Sequence, residues 1–165
     1  MQLRPKSKYV SLQPALYELF GDKEMLRSTV SNERANLVIV KLRFNNNMYN
    51  FAIPWRSNIT ANATPTSTYF QLPPTSKTKD HHVAGLDFRK MCILPNKKKN
   101  KNKYYTNYII NETKDTNTVM YIEKNKKTII ARAQNYLNNY DNISSKTYSV
   151  DLVNCFDELN KKDLL

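Results

Sequence analysis

An α+β fold is predicted, with a small twisted antiparallel β-barrel-like sheet covered by C-terminal helices. Two observations predict it. The first two thirds of the chain hold short β-branched and aromatic runs ended by proline or asparagine-rich turns, which read as strands. The last third changes to helical spacing of its apolar residues. At 165 residues the chain suits one domain, residues 1–165. A domain of this length buries roughly 70% of its unfolded surface and needs neither disulfides nor metal to hold a core.

Pro14–Phe20 is expected as a short helix, with proline in its first turn and Gly21 after its end. Asn36–Phe44 (N-L-V-I-V-K-L-R-F) reads as a strand in which Lys41 and Arg43 alternate with Leu42 and Phe44. Asn45, Asn46 and Asn47 supply a turn, and Met48–Ile53 returns as the second strand of a hairpin. Beyond Pro54 the chain is expected to leave the sheet as a loop carrying Arg56 and Ser57. Thr68–Leu72 and Gly85–Leu94 read as further strands, each ended by proline. Val119, Ile122, Ile129, Ile130, Ala133, Tyr136, Leu137 and Tyr140 then predict one long helix over Asn117–Tyr140. A last helix, Asp151–Lys161, turns Leu152, Cys155, Phe156 and Leu159 inward.

Composition excludes several classes. The apolar runs, such as Leu37–Val40, are too short to cross a bilayer, and the first thirty residues hold no unbroken apolar segment of a secretory signal. Cys92 and Cys155 lie among apolar neighbours and read as reduced core thiols of a cytoplasmic protein. With only Gly21 and Gly85 there is no phosphate-cradling loop or dinucleotide fingerprint, so no nucleotide cofactor is expected, and no metal site either.

Lys plus Arg number 26 against 14 Asp plus Glu, a net charge of +12 and a pI near 9.7. The excess sits in residues 1–103, with 18 basic and 6 acidic side chains; residues 104–165 hold eight of each. A polyanion is the natural partner of such a field, and its binding should weaken steeply with salt. The competing reading is a lysine-rich solubility coat. A membrane surface fits less well, because no basic amphipathic helix with an aromatic edge stands out. Eleven tyrosines, six phenylalanines and one tryptophan suit unstacked RNA bases. The run Lys97–Tyr108 (K-K-K-N-K-N-K-Y-Y-T-N-Y) is the densest mixture of the two, and reads equally as a solvated loop leading into a strand.

RNA carries its own nucleophile, the ribose 2′-OH. A protein that cuts RNA by transesterification must align that hydroxyl, move protons and stabilise charge on the phosphorane oxygens. The segment F-A-I-P-W-R-S-N-I (Phe51–Ile59) offers a rigid strand followed by Arg56, whose planar fork grips phosphate oxygens, and the hydroxyl of Ser57. Of the two histidines, His81 and His82, alternation lets one at most face a substrate groove. Arg89 and Lys90 alternate likewise, with Phe88 and Met91 expected to differ in burial. Asp87 reads as structural, pairing with a nearby cation or capping a turn.

Taken together, N-E-R-A-N-L-V-I-V, F-A-I-P-W-R-S-N-I and G-L-D-F-R-K-M-C-I-L (Gly85–Leu94) resemble the endoribonuclease toxins of type III toxin–antitoxin systems, the ToxN/AbiQ/TenpN group. The specific part covers roughly Glu33–Leu94; beyond it only the order of elements agrees. The resemblance implies a MazF-like barrel and metal-independent cleavage that leaves a 2′,3′-cyclic phosphate and a 5′-hydroxyl. It implies a small repeat antitoxin RNA folded as pseudoknots, which the toxin cuts into units and binds in a closed toxin–RNA assembly, and cellular or phage RNA as substrate. By position, Ser57 falls on the group's active-site serine, with Arg56 and Arg34 as phosphate-clamping partners. Expected RNA contacts are Lys41, Arg43, Asn58, His82, Arg89 and Lys90. The basic run adds Lys97, Lys98, Lys99, Lys101, Lys103 and Tyr104. The chain departs from the group at Trp55, where leucine is usual, and at Asn58 and Ile59, where ToxN-type members carry a lysine. Thr60–Lys79 reads as a longer insertion, suited to an added RNA-contacting loop.

Overall fold

A computed structural model of the chain describes residues 7–26, 37–96, 98, 103–107, 112–142 and 148–165. Seven strands lie in them: β1 (Tyr9–Leu12), β2 (Leu37–Phe44), β3 (Asn47–Thr60), β4 (Tyr69–Leu72), β5 (His82–Asp87), β6 (Cys92–Ile93) and β7 (Tyr105–Asn107). The four helices among the described residues are α1 (Pro14–Phe20), α2 (Glu112–Lys124), α3 (Lys126–Asn138) and α4 (Leu152–Lys161). The strands form one sheet in the order β4-β5-β3-β2-β1-β7, with β6 paired to β3, and every pairing is antiparallel. The α+β class is as expected. Closure is not: among the described residues the end strands β4 and β7 do not pair, so the sheet is open rather than a closed barrel.

The β2–β3 hairpin is the spine. Asn45 and Asn46 take left-handed φ of 48° and 66°, which a tight two-residue hairpin turn requires and asparagine tolerates, and Phe44 pairs with Asn47. Val38, Val40, Leu42, Phe51 and Ile53 are buried in one core, joined by Ile129, Ala133 and Tyr136 of α3 and by Leu152, Cys155 and Leu159 of α4. The edge of β2 that faces away from β3 is closed by a side chain. Gln134 accepts from the Arg43 N–H at 2.8 Å and donates to its carbonyl at 3.0 Å, replacing a strand neighbour with one carboxamide.

β3 overturns the expectation of a loop at Arg56 and Ser57. It is 14 residues long, pairs with β2 from Asn47 to Pro54, and from Trp55 to Thr60 pairs with β5 instead. Pro54 has no N–H to give a ladder, and it sits at the last pair with β2, where the change of partner makes that loss tolerable. Gly85–Leu94 is likewise not one strand. β5 ends at Asp87, whose carboxylate accepts from the Arg89 N–H at 3.1 Å and caps a 3-10 turn at Phe88–Lys90 before β6 resumes. That turn breaks the alternation, so Phe88 and Met91 are both buried rather than different.

The expected long helix is two. At Asn125 the side-chain amide donates to the Tyr121 carbonyl at 2.8 Å, and the local competition of asparagine with the helical ladder parts α2 from α3. α1 has the predicted bounds and ends in Gly21 at φ 58°, whose N–H reaches the Tyr17 carbonyl at 2.9 Å. α4 starts after Asp151, which accepts from the Asn154 N–H at 3.0 Å. Its Leu152, Cys155 and Leu159 are buried, and Phe156 is half-buried against Phe44 and Tyr49. The Thr60–Lys79 segment is largely built into the fold. It contains β4, and Arg132 of α3 donates to the carbonyls of Thr66 and Tyr69.

Two predictions arise from the packing. A methyl group on Gly85 would lie 2.9 Å from the Phe70 carbonyl oxygen and 3.0 Å from Ile59 Cδ1. Gly85→Ala is therefore expected to lower unfolding free energy by about 1–3 kcal/mol, measured by urea denaturation. Cys92 and Cys155 are free and buried, and burial pushes the Cys92 thiol up to about 12 and raises that of Cys155 too. Folded thiols stay protonated where unfolded ones ionise, so the stability present below the ordinary thiol value of 9.0 falls as pH climbs toward 12. The urea midpoint is expected to be lower at alkaline than at neutral pH, with both thiols unreactive to alkylation in the native chain.

Candidate active site

The site forms where β3 changes partner. Arg56 pairs with Gly85 and Ile59 with Val83, so Ser57 and Asn58 stand opposite the single residue Ala84. This extra residue makes a β-bulge, which kinks a strand and re-aims its side chains. Next to it, Arg56 Nη1 donates to Asp87 Oδ2 at 2.7 Å. Arg89 grips the same carboxylate twice, through Nε to Oδ1 at 3.1 Å and Nη2 to Oδ2 at 3.0 Å. Asp87 thus does both things expected of it, pairing with cations and capping a turn.

Burial decides what this cluster presents. The Asp87 side chain is 0% exposed, whereas those of Arg56 and Arg89 are 25% and 16% exposed. One hidden carboxylate fixes two guanidiniums and leaves one positive charge in excess at the surface. A guanidinium has five N–H donors, and among the described residues Arg56 spends one of them on a partner. The rest suit a phosphate's oxygens. Ser57 is half-buried, and its hydroxyl has no hydrogen-bond partner among the described residues.

The other expected contacts are spread more widely. Asn58 is engaged in structure: its amide donates to the Lys77 carbonyl at 3.0 Å and its oxygen accepts from the Lys79 N–H at 2.7 Å, holding the turn before β5. Lys90 is tied to Glu24 at 2.5 Å. His82 opens β5 opposite Thr60, three residues along β3 from Ser57, with Nδ1 donating to the Asp80 carbonyl at 2.8 Å. Lys41 and Arg43 are exposed on β2, and Lys98 is exposed beyond β6. Lys103 places its ammonium 5.3 Å from the ring centre of Tyr104, which is itself buried, so the lysine rather than the ring faces outward. Arg34, Lys97, Lys99 and Lys101 lie outside the described residues. The strand that Arg34 precedes begins with Leu37 opposite Pro54, at the level of the site.

Helical spacing predicts Tyr136 in the core, and Ser149 carries no motif that predicts it near the site. Both hydroxyls are buried, with that of Ser149 facing that of Tyr136, and Tyr136 lies near the Asp87–Arg89 pair. Burial raises the pKa of Tyr136. The segment carrying Ser149 is fastened to the site, since the Val150 N–H donates to the Arg89 carbonyl at 2.7 Å. No local signal in the sequence marks this, because the contact joins residues some sixty positions apart. Trp55, the departure noted above, packs edge-on against Tyr9 with ring centres 5.6 Å apart. Among the described residues no three or more His, Cys, Asp or Glu side chains gather to hold a metal ion, and no helix is long and apolar enough to cross a membrane.

No family model and no curated protein matches the chain. Solved structures do. One comes from bacterial type III toxin–antitoxin systems, in which a toxin is selectively inhibited by a non-coding RNA pseudoknot. It is 12% identical, with a TM-score of 0.62 over 95% of this chain and 98% of its own. Another comes from a bacterial antiviral system regulated by a processed non-coding RNA, at 9% identity and a TM-score of 0.67 over 93% of this chain and 98% of its own. At such identities the likeness is one of fold, and the fold of this chain is that of these structures from a bacterial type III toxin–antitoxin system and a bacterial antiviral system.

Proposed function

We propose that the protein is an endoribonuclease toxin of a type III toxin–antitoxin system. The observation that carries this reading is the Arg56–Asp87–Arg89 cluster at the bulge of β3, the same bulge that carries Ser57, whose hydroxyl has no partner among the described residues. In the proposed reaction the substrate's 2′-oxygen attacks the adjacent phosphorus. The new P–O2′ bond closes a 2′,3′-cyclic phosphate while the P–O5′ bond breaks. The 2′-OH gives up its proton and the departing 5′-oxygen gains one. Arg56 and Arg89 supply cationic donors where charge builds on the phosphorane oxygens, Arg34 adds a third, and Ser57 hydrogen-bonds the reacting 2′-OH or phosphate. The nucleophile is already in the substrate, so the chemistry calls for no divalent ion.

The net +12 then has a partner. A small repeat RNA of pseudoknot units occupies the basic face, is cut into units at this site, and holds the toxin inactive in a closed protein–RNA assembly. When that RNA is lost, cellular or phage RNA in the cytoplasm becomes the substrate. The test is incubation of the purified chain with RNA in EDTA, followed by mapping of the new ends. Cyclic phosphate termini that disappear with Arg56→Ala or Ser57→Ala support the enzyme. Intact RNA bound with a steep salt dependence makes the chain a non-catalytic RNA-binding protein instead.

A further inference from the structure

A second feature lies away from the arginine cluster. Between the outer side of the β2–β3 hairpin, the strands β1 and β7 and the α2–α3 junction is a cleft of about 590 Å³. Its size falls within the range of small-molecule sites. Its wall at the helix junction is internally compensated. Lys126 donates to Ser7 Oγ at 2.7 Å and to the Ile39 carbonyl at 3.2 Å, while Glu123 accepts from the Ser7 N–H at 3.1 Å. Burial lowers the pKa of Lys126 and the nearby Glu123 opposes that shift.

Four other side chains of the lining are not compensated by any described residue. The side chains of Lys8, Lys41, Asn50 and Asn107 have no hydrogen bond or ion pair among the described residues. Ile39 and Tyr105 give the cleft an apolar surface. The two ammoniums attract phosphate. The two carboxamides, each offering both a donor and an acceptor, match the polar edge of a base, and the apolar surface receives its ring. Asn50 and Arg56 point to the same side of β3, because residues at even spacing share a face and the bulge comes only after Arg56. Six residues of strand separate them by about 20 Å, a few nucleotides of extended single strand.

We infer that this cleft is a base-reading subsite for a single-stranded RNA nucleotide a few positions from the scissile bond. Lys8 and Lys41 hold its phosphate, and Asn50 with Asn107 reads its base edge. The inference rests on the proposed RNA-cutting function for the meaning of that distance, and the experiment separates the two.

The probes are four fluorescent homopolymeric oligoribonucleotides, one for each base, long enough to span both places. Their affinity for the full chain is measured by anisotropy at several salt concentrations. The wild-type chain is expected to prefer one base. The double substitution Asn50→Ala and Asn107→Ala should weaken that homopolymer by about tenfold and leave the others unchanged. Lys41→Ala should weaken all four alike and reduce the salt slope by about one. All these side chains lie at the cleft surface, and unchanged thermal midpoints confirm folded variants. Should these substitutions alter neither affinity nor base preference while the wild-type chain cuts RNA, the cleft inference is overturned and the nuclease stands. Should the preference depend on Asn50 and Asn107 while nothing is cut, the nuclease reading falls and the cleft stands. Absence of any RNA binding at low salt overturns both.

Discussion

Arg56→Ala is expected to reduce kcat/KM for RNA cleavage by about 10²–10³, the usual cost of removing one donor aimed at transition-state charge. The fold should survive, because Asp87 keeps Arg89 on both of its oxygens and the 3-10 turn keeps its cap. A thermal midpoint within a few degrees of wild type, alongside lost cleavage, is the expected pair of readings. Arg56→Lys should not restore the rate. A lysine ammonium is a point charge and cannot hold Asp87 and a phosphate in one plane as the guanidinium fork does. A lysine variant as active as wild type would show that Arg56 supplies only charge.

Asp87→Ala should do the reverse and act first on stability. It leaves two guanidiniums facing each other without their shared anion and removes the cap of the turn. Breaking a buried pair by deleting one partner costs about 3–5 kcal/mol; the lower end applies here, because Arg56 and Arg89 keep 25% and 16% of their side-chain surface in water. Urea denaturation reads this directly. Asp87→Asn separates charge from shape. It keeps the acceptor for the Arg89 N–H but loses the anion, so cleavage should fall by at least about tenfold with a smaller loss of stability. An Asp87→Asn variant as active as wild type would mean that the arginines need no anion to hold them for catalysis.

What was legible in the sequence was local. α1 announces itself through Pro14 and Gly21, the hairpin through β-branched alternation and its asparagine turn, and α4 through Asp151 and the spacing of Leu152, Cys155 and Leu159. The misreadings share a cause, which is dependence on distant partners. Nothing near Pro54 says that β5 is waiting to pair with Trp55–Thr60, so a strand passing through proline reads as a loop. Nothing in a helical run says that the Asn125 side chain will take the Tyr121 carbonyl. The four residues of β1 and the three of β7 are too short to show a period, and they are strands because they pair with each other and β1 with β2. The site follows the same rule. Arg56, Ser57 and Asp87 stand out in the chain, yet their geometry comes from the β3–β5 register, and the cleft gathers side chains from Ser7, ahead of β1, to Lys126 in α3.

The central claim is that the nucleophile belongs to the RNA and that this cluster of arginines and a serine stabilises its attack. The most direct measurement is cleavage, in EDTA, of two oligonucleotides that differ only in the sugar on the 3′-phosphate side of the mapped cut. One carries ribose there and the other 2′-deoxyribose. The account predicts that both bind equally, that the ribose substrate gives a 2′,3′-cyclic phosphate, and that the deoxy substrate stays intact. Cleavage of the deoxy substrate at the same bond and a comparable rate would contradict it.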